Sequence, residues 1–268
     1  MSIGMHEVIE IAVEAGNAIL EVYHAGDVEV QYKEDQSPLT IADQRSHDVI
    51  FRKLAEQTPE IPVLSEEGGE LAYEQRVDWE RFWLIDPLDG TKEFIKGNGE
   101  FAINIALVEN GIPILGVIYA PVLDVVYFAE QGEGAYKLEG VKNKTDFSQD
   151  SISLPILSNR TKTSVVTSRS HLSQETKDYI RRLEQHVGEV ELTSAGSALK
   201  MCLVAEGKAD VYPRFGPTME WDTCAGHAIM LEVGGDIIQV DSHQPLQYNK
   251  QDLLNPWFIV RREGFVGI

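Results

Sequence analysis

Cysteine is scarce in this sequence. Only two of the 268 residues, Cys202 and Cys224, are cysteines, and they lie 22 positions apart. This spacing fits neither a CxxC motif nor a disulfide framework, which argues against a small disulfide-stapled fold. Because both thiols fall in apolar, helix-like surroundings, we expect them to be buried and reduced, as in a cytoplasmic protein.

Long hydrophobic runs are also missing. The longest uncharged stretch, residues 110–123, is broken by Pro113 and Pro121. It falls short of the ~20 residues that a membrane-spanning helix needs. Residues 1–16 contain three glutamates, where a signal or transit peptide would be basic or uncharged. The sequence therefore predicts neither a membrane span nor an export signal.

Basic residues are few relative to acidic ones. The chain has 23 Lys and Arg against 43 Asp and Glu, a net charge of −20 at pH 7, which argues against nucleic-acid binding. The imbalance is uneven, with 11 basic and 29 acidic residues in 1–150 but 12 and 14 in 151–268. Residues 160–214 have nine basic and seven acidic side chains, so we expect a directly bound anion there.

The rest of the composition is that of a folded globular protein. Hydrophobic residues make up 43%, and 268 residues allow one large domain or two fused sub-domains. Apolar spacing predicts a helix over residues 5–23 and another after Thr40, which places Asp43 in the first turn of that helix. Two apolar strands joined through Asn110-Gly111 predict a hairpin.

The pattern changes near the middle of the chain. Residues 1–150 predict an α+β sub-domain with a largely antiparallel sheet. From about residue 160, strands and helices alternate, which predicts a second, α/β sub-domain over residues 151–268. The polar, weakly patterned stretch 140–158 is taken as the boundary.

The clearest chemical signal is the segment WLIDPLDGTKEF at residues 83–94. An apolar strand ends at Asp86, Pro87 prevents further regular pairing, and Asp89-Gly90 forces a turn. Two carboxylates thus converge at one strand tip. Mg²⁺ prefers oxygen ligands and retains water and phosphate oxygens, so a few carboxylates and a substrate phosphate complete its shell. A plain Asp-Gly turn without a metal is the alternative interpretation.

Three further acidic residues fit the same geometry. Glu66 and Glu67 follow the strand-like PVLS, and Asp222 opens a helix after the loop RFGPTMEW. Each has a simpler interpretation by itself, Glu67 as a solvated side chain and Asp222 as a helix cap. Together with Asp86 and Asp89, the acids at strand ends and helix starts favour a metal site.

Other catalytic motifs are weak or fail. The glycine spacing at residues 97–102 is that of a dinucleotide fingerprint, but this segment runs into a strand rather than a helix. The Ser170-His171 pair lacks a nucleophile-elbow motif, which leaves covalent serine catalysis as a weak alternative.

The order of the motifs resembles a known family. DPLDGT, with SEE about twenty residues upstream and WDTCAG about 130 downstream, resembles the Mg²⁺-dependent, lithium-sensitive phosphatases of the inositol monophosphatase superfamily. The resemblance covers nearly the whole chain. VLSEE, SRSH and YPRFGPTMEWDTCAG are similar to the 3'(2'),5'-bisphosphate nucleotidases of that superfamily. Lys92-Glu93 after DGT would be unusual in an inositol-specific enzyme, and Cys224 stands where alanine is common.

The resemblance implies a layered α-β-α-β-α sandwich of the inositol monophosphatase and fructose bisphosphatase type, in the α/β (α+β) class. It implies that Asp43 and Thr91 orient and deprotonate the attacking water. The implied ligands of two or three Mg²⁺ ions are Glu66, Asp86, the Leu88 carbonyl, Asp89 and Asp222. The residues implied to contact the substrate are Glu66, Leu88, Asp89, Gly90, Thr91, His171, Ser197, Lys200, Arg214 and Asp222.

The activity implied by the resemblance is hydrolysis of the 3'-phosphate of adenosine 3',5'-bisphosphate, and also of its sulfate-bearing relative, in sulfate assimilation. Two alternatives stay open: a broader phosphatase for inositol or sugar phosphates, and a non-catalytic sensor of metal or nucleotide. Peripheral association with the cytoplasmic face of the inner membrane rests on the resemblance alone. We expect no nucleic-acid or protein partner, and the sequence leaves the oligomeric state open.

Overall fold

The structure is a computed structural model that describes residues 3–26, 30–32, 38–69, 71–156, 160–168 and 173–265. In these residues the helices are α1 (Met5–Ala25), α2 (Ile41–Gln57), α3 (Tyr73–Arg76), α4 (Thr91–Ile95), α5 (Gln174–Val187), α6 (Leu199–Ala205) and α7 (Glu220–Glu232), with a 3₁₀ turn at Val141–Asn143. The strands are β1 (Val30–Tyr32), β2 (Pro38–Thr40), β3 (Val63–Ser65), β4 (Arg81–Asp89), β5 (Ala102–Glu109), β6 (Ile112–Ala120), β7 (Val125–Glu130), β8 (Gly134–Glu139), β9 (Ile152–Ser153), β10 (Ser164–Ser168), β11 (Glu191–Ala195), β12 (Val211–Arg214), β13 (Asp236–Gln239) and β14 (Phe258–Arg261).

The larger sheet has seven strands in the order β3-β4-β5-β6-β7-β8-β9, parallel between β3 and β4 and antiparallel elsewhere. Helices α1 and α2 cover one of its faces. The buried stripe of α1 includes Ile11, Ala15 and Ile19, one turn apart. Gly16 lies so near Tyr119 that a Cβ there would be 2.5 Å from the ring. Glycine at this position therefore lets α1 approach the sheet closely.

The second sheet has five strands in the order β11-β10-β12-β14-β13, parallel where β10 meets β11 and β12, and antiparallel around β14. Helices α6 and α7 lie between the two sheets, and α5 covers the outer face of the second sheet at β12. A Cβ at Gly116 on β6 would lie 2.3 Å from the Ala225 carbonyl oxygen of α7, so glycine is required for this approach. The layers run α-β-α-β-α, which confirms the predicted fold class.

Several local predictions are confirmed. Thr40 is the N-cap of α2, and Asp43 closes a capping box with it. The β5–β6 turn has positive φ at Asn110 (51°) and Gly111 (77°), as the hairpin requires. The prediction for Asp222 was wrong in detail: α7 begins two residues earlier, with Met219 as N-cap, and Asp222 lies at the third helical position.

The division of the chain at residue 150 stays a prediction. Strand β9, at residues 152–153, still pairs with β8 of the larger sheet. Helix α7, far along the sequence, packs on β5 and β6 of that sheet. One buried cluster of apolar side chains accordingly includes Phe82 from the larger sheet and Phe258 from the second. The two parts thus share a core.

Cys202 lies in α6 and Cys224 in α7, and both thiols are free and buried. The α6–α7 layer surrounds them with apolar side chains, as the sequence predicts. Among the helices that the structure describes, none is both long enough and apolar enough to cross a membrane.

Candidate active site

The site is built around the end of β4. Asp86 is 1% exposed and lies on the side of β4 that packs on α7, and the pairing of β4 with β5 becomes irregular between Asp86 and Asp89. Two hydrogen bonds hold the irregular tip: the Leu88 amide donates to Asp86 Oδ1 at 3.0 Å, and Ser46 Oγ of α2 donates to the Pro87 carbonyl at 2.7 Å. Pro87 interrupts the regular ladder, as predicted, but the strand does not end at Asp86: pairing resumes at Asp89, opposite Ala102, where β4 ends.

Three carboxylates from different elements meet beside this tip. Oxygen atoms of Glu66, Asp86 and Asp222 all lie within 4.8 Å of one another. Glu66 directly follows β3, and its amide donates to the Ile85 carbonyl at 3.2 Å. Asp222 is fixed in the first turn of α7, where its Oδ2 accepts a hydrogen bond from the Met219 amide at 2.8 Å. The structure therefore brings together three of the four predicted carboxylate ligands.

This cluster is electrostatically strained without a cation. Burial, followed by the charges of Glu66, Asp89 and Asp222, raises the pKa of Asp86 well above its usual value. Burial and the charges of Asp89 and Glu66 raise the pKa of Asp222 to about 8. A divalent cation among the three oxygens would offset this repulsion, and carboxylate oxygens are what Mg²⁺ prefers. The donor set therefore fits a hard divalent metal.

Asp89 occupies a different position from the other three acids. Its Oδ2 accepts hydrogen bonds from Ser197 Oγ at 2.7 Å and from the Ala198 amide at 2.5 Å, at the start of α6. Its charge still raises the pKa of Asp86 and Asp222, so it lies beside the cluster. Asp89 joins the carboxylate cluster to the second half of the chain.

The predicted Asp43–Thr91 pair is in contact. Thr91 Oγ1 donates to Asp43 Oδ1 at 3.1 Å and lies 3.4 Å from the Leu88 carbonyl oxygen. Asp43 Oδ2 accepts from both the amide (2.8 Å) and the hydroxyl (2.6 Å) of Thr40. Burial raises the pKa of Asp43, and the hydrogen bonds from Thr40 and Thr91 oppose that shift. Gly90, with φ of 96°, makes the turn that brings Thr91 to Asp43.

Cationic side chains form the opposite side of the cleft. Lys200 is 8% exposed, and its Nζ donates to the Ser197 carbonyl at 2.6 Å. Burial lowers the pKa of Lys200, and the charge of Asp89 opposes the shift. Arg214 donates to the Pro217 carbonyl at 2.7 Å, but its Nε is buried and has no partner among the residues that the structure describes. Both cations line a cavity of about 190 Å³ together with Asp89, Asp222 and Ser197.

An adjoining cavity of about 580 Å³ contains the carboxylate side of the cleft. Its lining includes Glu66, Asp86, Leu88, Asp89, Gly90, Thr91 and Asp222. Of the sequence-predicted site residues, His171 lies outside the residues that the structure describes. All the others line one or both cavities or, like Asp43, contact a residue that does.

Sequence reasoning missed several residues at the site. Met219 and Trp221 line the carboxylate side. Glu100 holds the loop before α6, accepting a hydrogen bond from the Gly196 amide at 2.9 Å across 96 residues of sequence. Ser46 is 41 residues from its partner Pro87. Trp221 stands beside Asp222 in the recognised WDTCAG motif, whereas no local pattern marks Ser46 or Glu100.

Comparison with known proteins gives consistent similarities. A model of the inositol monophosphatase family matches residues 5–262. The 3'(2'),5'-bisphosphate nucleotidase CysQ of Salmonella typhimurium (strain LT2) is 48% identical over 259 residues, covering 96% of this chain and 98% of that protein. CysQ of Escherichia coli (strain K12) is 47% identical over the same length, with the same coverage of both chains.

Solved structures give the same result. The crystal structure of CysQ from Bacteroides thetaiotaomicron, described as a bacterial member of the inositol monophosphatase family, matches with a TM-score of 0.87. It is 50% identical, and the match covers 97% of each chain. The extragenic suppressor protein suhB of Bartonella henselae matches with a TM-score of 0.75 at 25% identity, over 97% of this chain and 93% of that chain.

Proposed function

The chain belongs to the inositol monophosphatase family, and from this premise we propose that it hydrolyses the 3'-phosphate of adenosine 3',5'-bisphosphate to AMP and phosphate. One observation carries the proposal most directly. A cluster of three carboxylates suited to cations and two cationic side chains, Lys200 and Arg214, face one another across adjoining cavities. Such a cleft can hold one phosphate at each side. The relatives that are 47–48% identical are named as bisphosphate nucleotidases.

We propose Mg²⁺ as the cofactor, in two or three ions. Glu66, Asp86 and Asp222 would hold it through their clustered oxygens, with Asp89 and the Leu88 carbonyl completing the set. When bound, the cations offset the charge on the phosphoryl oxygens and make water a better nucleophile near neutral pH. The clustered carboxylates repel a phosphate dianion, so we expect no hydrolysis without metal.

Asp43 and Thr91 are proposed to activate the attacking water. Thr91 Oγ1 donates its own proton to Asp43, so its lone pairs can accept a hydrogen bond from a water molecule beside Leu88. Transfer of the water proton to Thr91, and of the Thr91 proton to Asp43, would leave hydroxide to attack phosphorus. Burial raises the pKa of Asp43, which makes its carboxylate a better proton acceptor.

Lys200 and Arg214 are proposed to hold the second phosphate of the nucleotide. Arg214 presents a planar fork suited to phosphate oxygens, and its buried Nε has no partner in the described part of the chain. Lys200 is fixed by the Ser197 carbonyl, and its Nζ lies 5.6 Å from the centre of the Tyr212 ring. An inositol monophosphate has no second phosphate to use these cations. His171, Ser197 and Gly90 remain further proposed substrate contacts.

The proposed function is tested by measuring phosphate release from a substrate panel with and without Mg²⁺. The panel is adenosine 3',5'-bisphosphate, its 5'-phosphosulfate relative, inositol 1-phosphate and a sugar phosphate. We expect Mg²⁺-dependent release with the highest kcat/KM for the two nucleotides. A higher kcat/KM for inositol phosphate would make the chain a general phosphatase, and binding of nucleotide without release would make it a sensor.

The proposed reaction would remove a by-product of sulfate assimilation. Both thiols are free and buried, which is compatible with the reducing cytoplasm proposed as its location. By family resemblance we also expect inhibition by Li⁺, which is checked by adding LiCl at a fixed Mg²⁺ concentration.

A further inference from the structure

A large open groove lies on the outer face of the second sheet, between α5 and strands β13 and β14. Its volume is about 750 Å³, larger than either cavity of the candidate active site. Ile238 and Ile259 form its floor, while the neighbouring Ile237 and Val260 point to the opposite face and join the core shared with α6 and α7. The groove is therefore separated from the carboxylate cluster by the thickness of a sheet.

The groove is positively charged on a strongly acidic protein. Among the described residues, its lining includes Arg182, Arg261, His186 and His243 and no carboxylate, although the chain has 43 acidic residues. The acid nearest in register is Asp236, the cross-strand partner of Arg261. Its carboxylate accepts hydrogen bonds from the Ile237 amide and contacts the ring of His227 at the edge of the sheet. Arg261 is partly compensated by Asp236, whose pKa it helps to lower, whereas Arg182 has no ion-pair partner in the described part of the chain. The groove thus keeps net positive charge for a ligand.

Arg182 of α5 and Arg261 of β14 both line the groove, together with Tyr179. Burial raises the pKa of Tyr179 to about 12, and the charges of Arg182 and Arg261 both oppose that shift. Neither arginine forms an ion pair with a residue in the described part of the chain. Their sequence neighbours differ, since Arg181 pairs with Asp178 at 3.1 Å and Arg262 pairs with Asp210.

Aromatic rings lie next to the two arginines. The ring centroids of Phe215 and Tyr179 are 5.9 Å apart, and those of Phe215 and Trp257 are 5.7 Å apart in an edge-on arrangement. Trp257 is 45% exposed, and Phe215 and Phe265 are half-buried in the groove. A planar ring can pack against these side chains while an attached anion reaches the guanidinium groups.

We propose that this groove is a second ligand site, for a small molecule that joins a planar aromatic ring to a negatively charged group. Its volume is within the ~300–1,000 Å³ range of small-molecule sites. In a symmetric contact between two copies of the chain at this groove, the arginine pair of one copy would lie against the arginine pair of the other and repel it. Charge complementarity therefore favours a small anion over a second copy as the occupant.

The groove is connected to the proposed nucleotide site by a short path. Phe215 directly follows Arg214, and Arg214 pairs in register with Phe258, the neighbour of the groove residue Ile259. A ligand packed on Phe215 is therefore expected to change the position of Arg214 and with it the KM for the bisphosphate nucleotide. This second consequence rests on the proposed function, whereas ligand binding itself does not.

The binding test uses 8-anilinonaphthalene-1-sulfonate, a fluorescent aromatic anion, titrated into the full folded chain. We expect saturable binding that Arg182→Ala and Arg261→Ala each weaken about three- to tenfold, the loss of one charge-assisted contact at an open site. Arg181→Ala is the matched control on the same helix, because Arg181 is paired with Asp178. Lys200→Ala is the control for binding in the candidate active site. Neither control is expected to change the affinity.

Competition identifies the kind of anion. Displacement of the dye by AMP indicates a nucleotide, and displacement by benzoate indicates an aromatic acid; either supports the site. Equal dye affinity in wild type, Arg182→Ala and Arg261→Ala would overturn the proposal, as would loss of binding in Lys200→Ala alone. A self-associating chain that Arg182→Ala converts to monomers in sedimentation would show an interface between copies instead. Unchanged folding of each variant is checked by circular dichroism.

Discussion

The two sides of the candidate cleft are built in opposite ways. The carboxylate side places Glu66, Asp86 and Asp222 within 4.8 Å of one another, so two partly exposed carboxylates are held against the buried Asp86. The cationic side places Lys200 and Arg214 around one cavity with Asp89 and Ser197, so its charges are partly compensated by the protein. A bound cation would offset the repulsion among the carboxylates, whereas the cationic side can bind an anion without any added ion.

This difference assigns separate tasks to the two sides. Under the proposed function, the carboxylate side would decide whether the chain is a catalyst at all, because it would hold the metals and contains the Asp43–Thr91 pair. The cationic side would decide which phosphate ester is preferred, because it is where we propose that a second phosphate binds. Asp89 links the two sides through its hydrogen bonds to Ser197 and Ala198. Substitutions on the carboxylate side are therefore expected to lower kcat, and substitutions on the cationic side to raise KM.

The largest effect is expected from Asp86→Asn, which removes the central carboxylate of the cluster. Turnover of every substrate should fall by about 10³-fold or more, because electrostatic stabilisation at the reacting phosphate depends on the metal. The metal-free variant should be at least as stable as the wild type to heat, since a buried charge repelled by its neighbours is gone. Asp78→Asn, at an exposed position, is the matched control. Full turnover in folded Asp86→Asn would contradict the metal assignment.

The next effect is expected from Asp43→Asn. Loss of the proton acceptor should lower kcat by ~10²- to 10⁴-fold with little change in KM. The variant also weakens the capping box of α2, so its unfolding free energy should fall by about 1 kcal/mol and is measured separately. Asp48→Asn on the same helix is the control. A raised KM with unchanged kcat would instead assign Asp43 to binding.

A smaller and more selective effect is expected from Arg214→Ala. Loss of a charge-assisted contact to the second phosphate should raise KM for adenosine 3',5'-bisphosphate roughly ten- to a hundredfold. The KM for inositol 1-phosphate should change much less, and Arg214→Lys should restore part of the nucleotide affinity. Equal losses for both substrates would place Arg214 at the reacting phosphate or in the scaffold.

The smallest expected effect is a pH dependence of the thermal stability of the metal-free protein. The pKa of Asp222 is raised from 3.8 to about 8, so the folded state binds more protons than the unfolded state between these values. Stability from this group is therefore present below pH ~4 and is lost as pH rises toward 8. In EDTA, the difference in Tm between Asp222→Asn and wild type should grow from pH 5 to pH 8. A constant difference would show that Asp222 titrates normally, and Mg²⁺ should stabilise the wild type most at pH 8.

The sequence predicted the carboxylate side better than the cationic side, because the strand tip is local. Pro87 and Gly90 act on their own neighbours, so a break in β4 beside two acids follows from the motif itself. The contact between Asp43 and Thr91 spans 48 residues, and only the family resemblance indicated it. The linkage of Asp89 to Ser197 spans 108 residues and depends on how the two sheets pack.

The charge balance of a segment does not show where its cationic side chains lie after folding. Residues 160–214 have a positive balance, but its cations are divided between two places after folding. Lys200 and Arg214 reach the candidate active site, whereas Arg182 on α5 faces the groove with Arg261 from β14. No sequence pattern predicted β14, so the position of Arg182 and Arg261 along one groove could not be read from the sequence.

The central claim is that this cleft removes the 3'-phosphate of a bisphosphate nucleotide in a metal-dependent reaction. Its most direct test follows adenosine 3',5'-bisphosphate by phosphorus NMR after addition of enzyme, first in EDTA and then with excess Mg²⁺. We predict no change in EDTA and, with Mg²⁺, loss of the 3'-phosphate resonance as those of AMP and inorganic phosphate grow in equal amounts. Loss of the 5'-phosphate resonance, or equal hydrolysis in EDTA, would contradict the account.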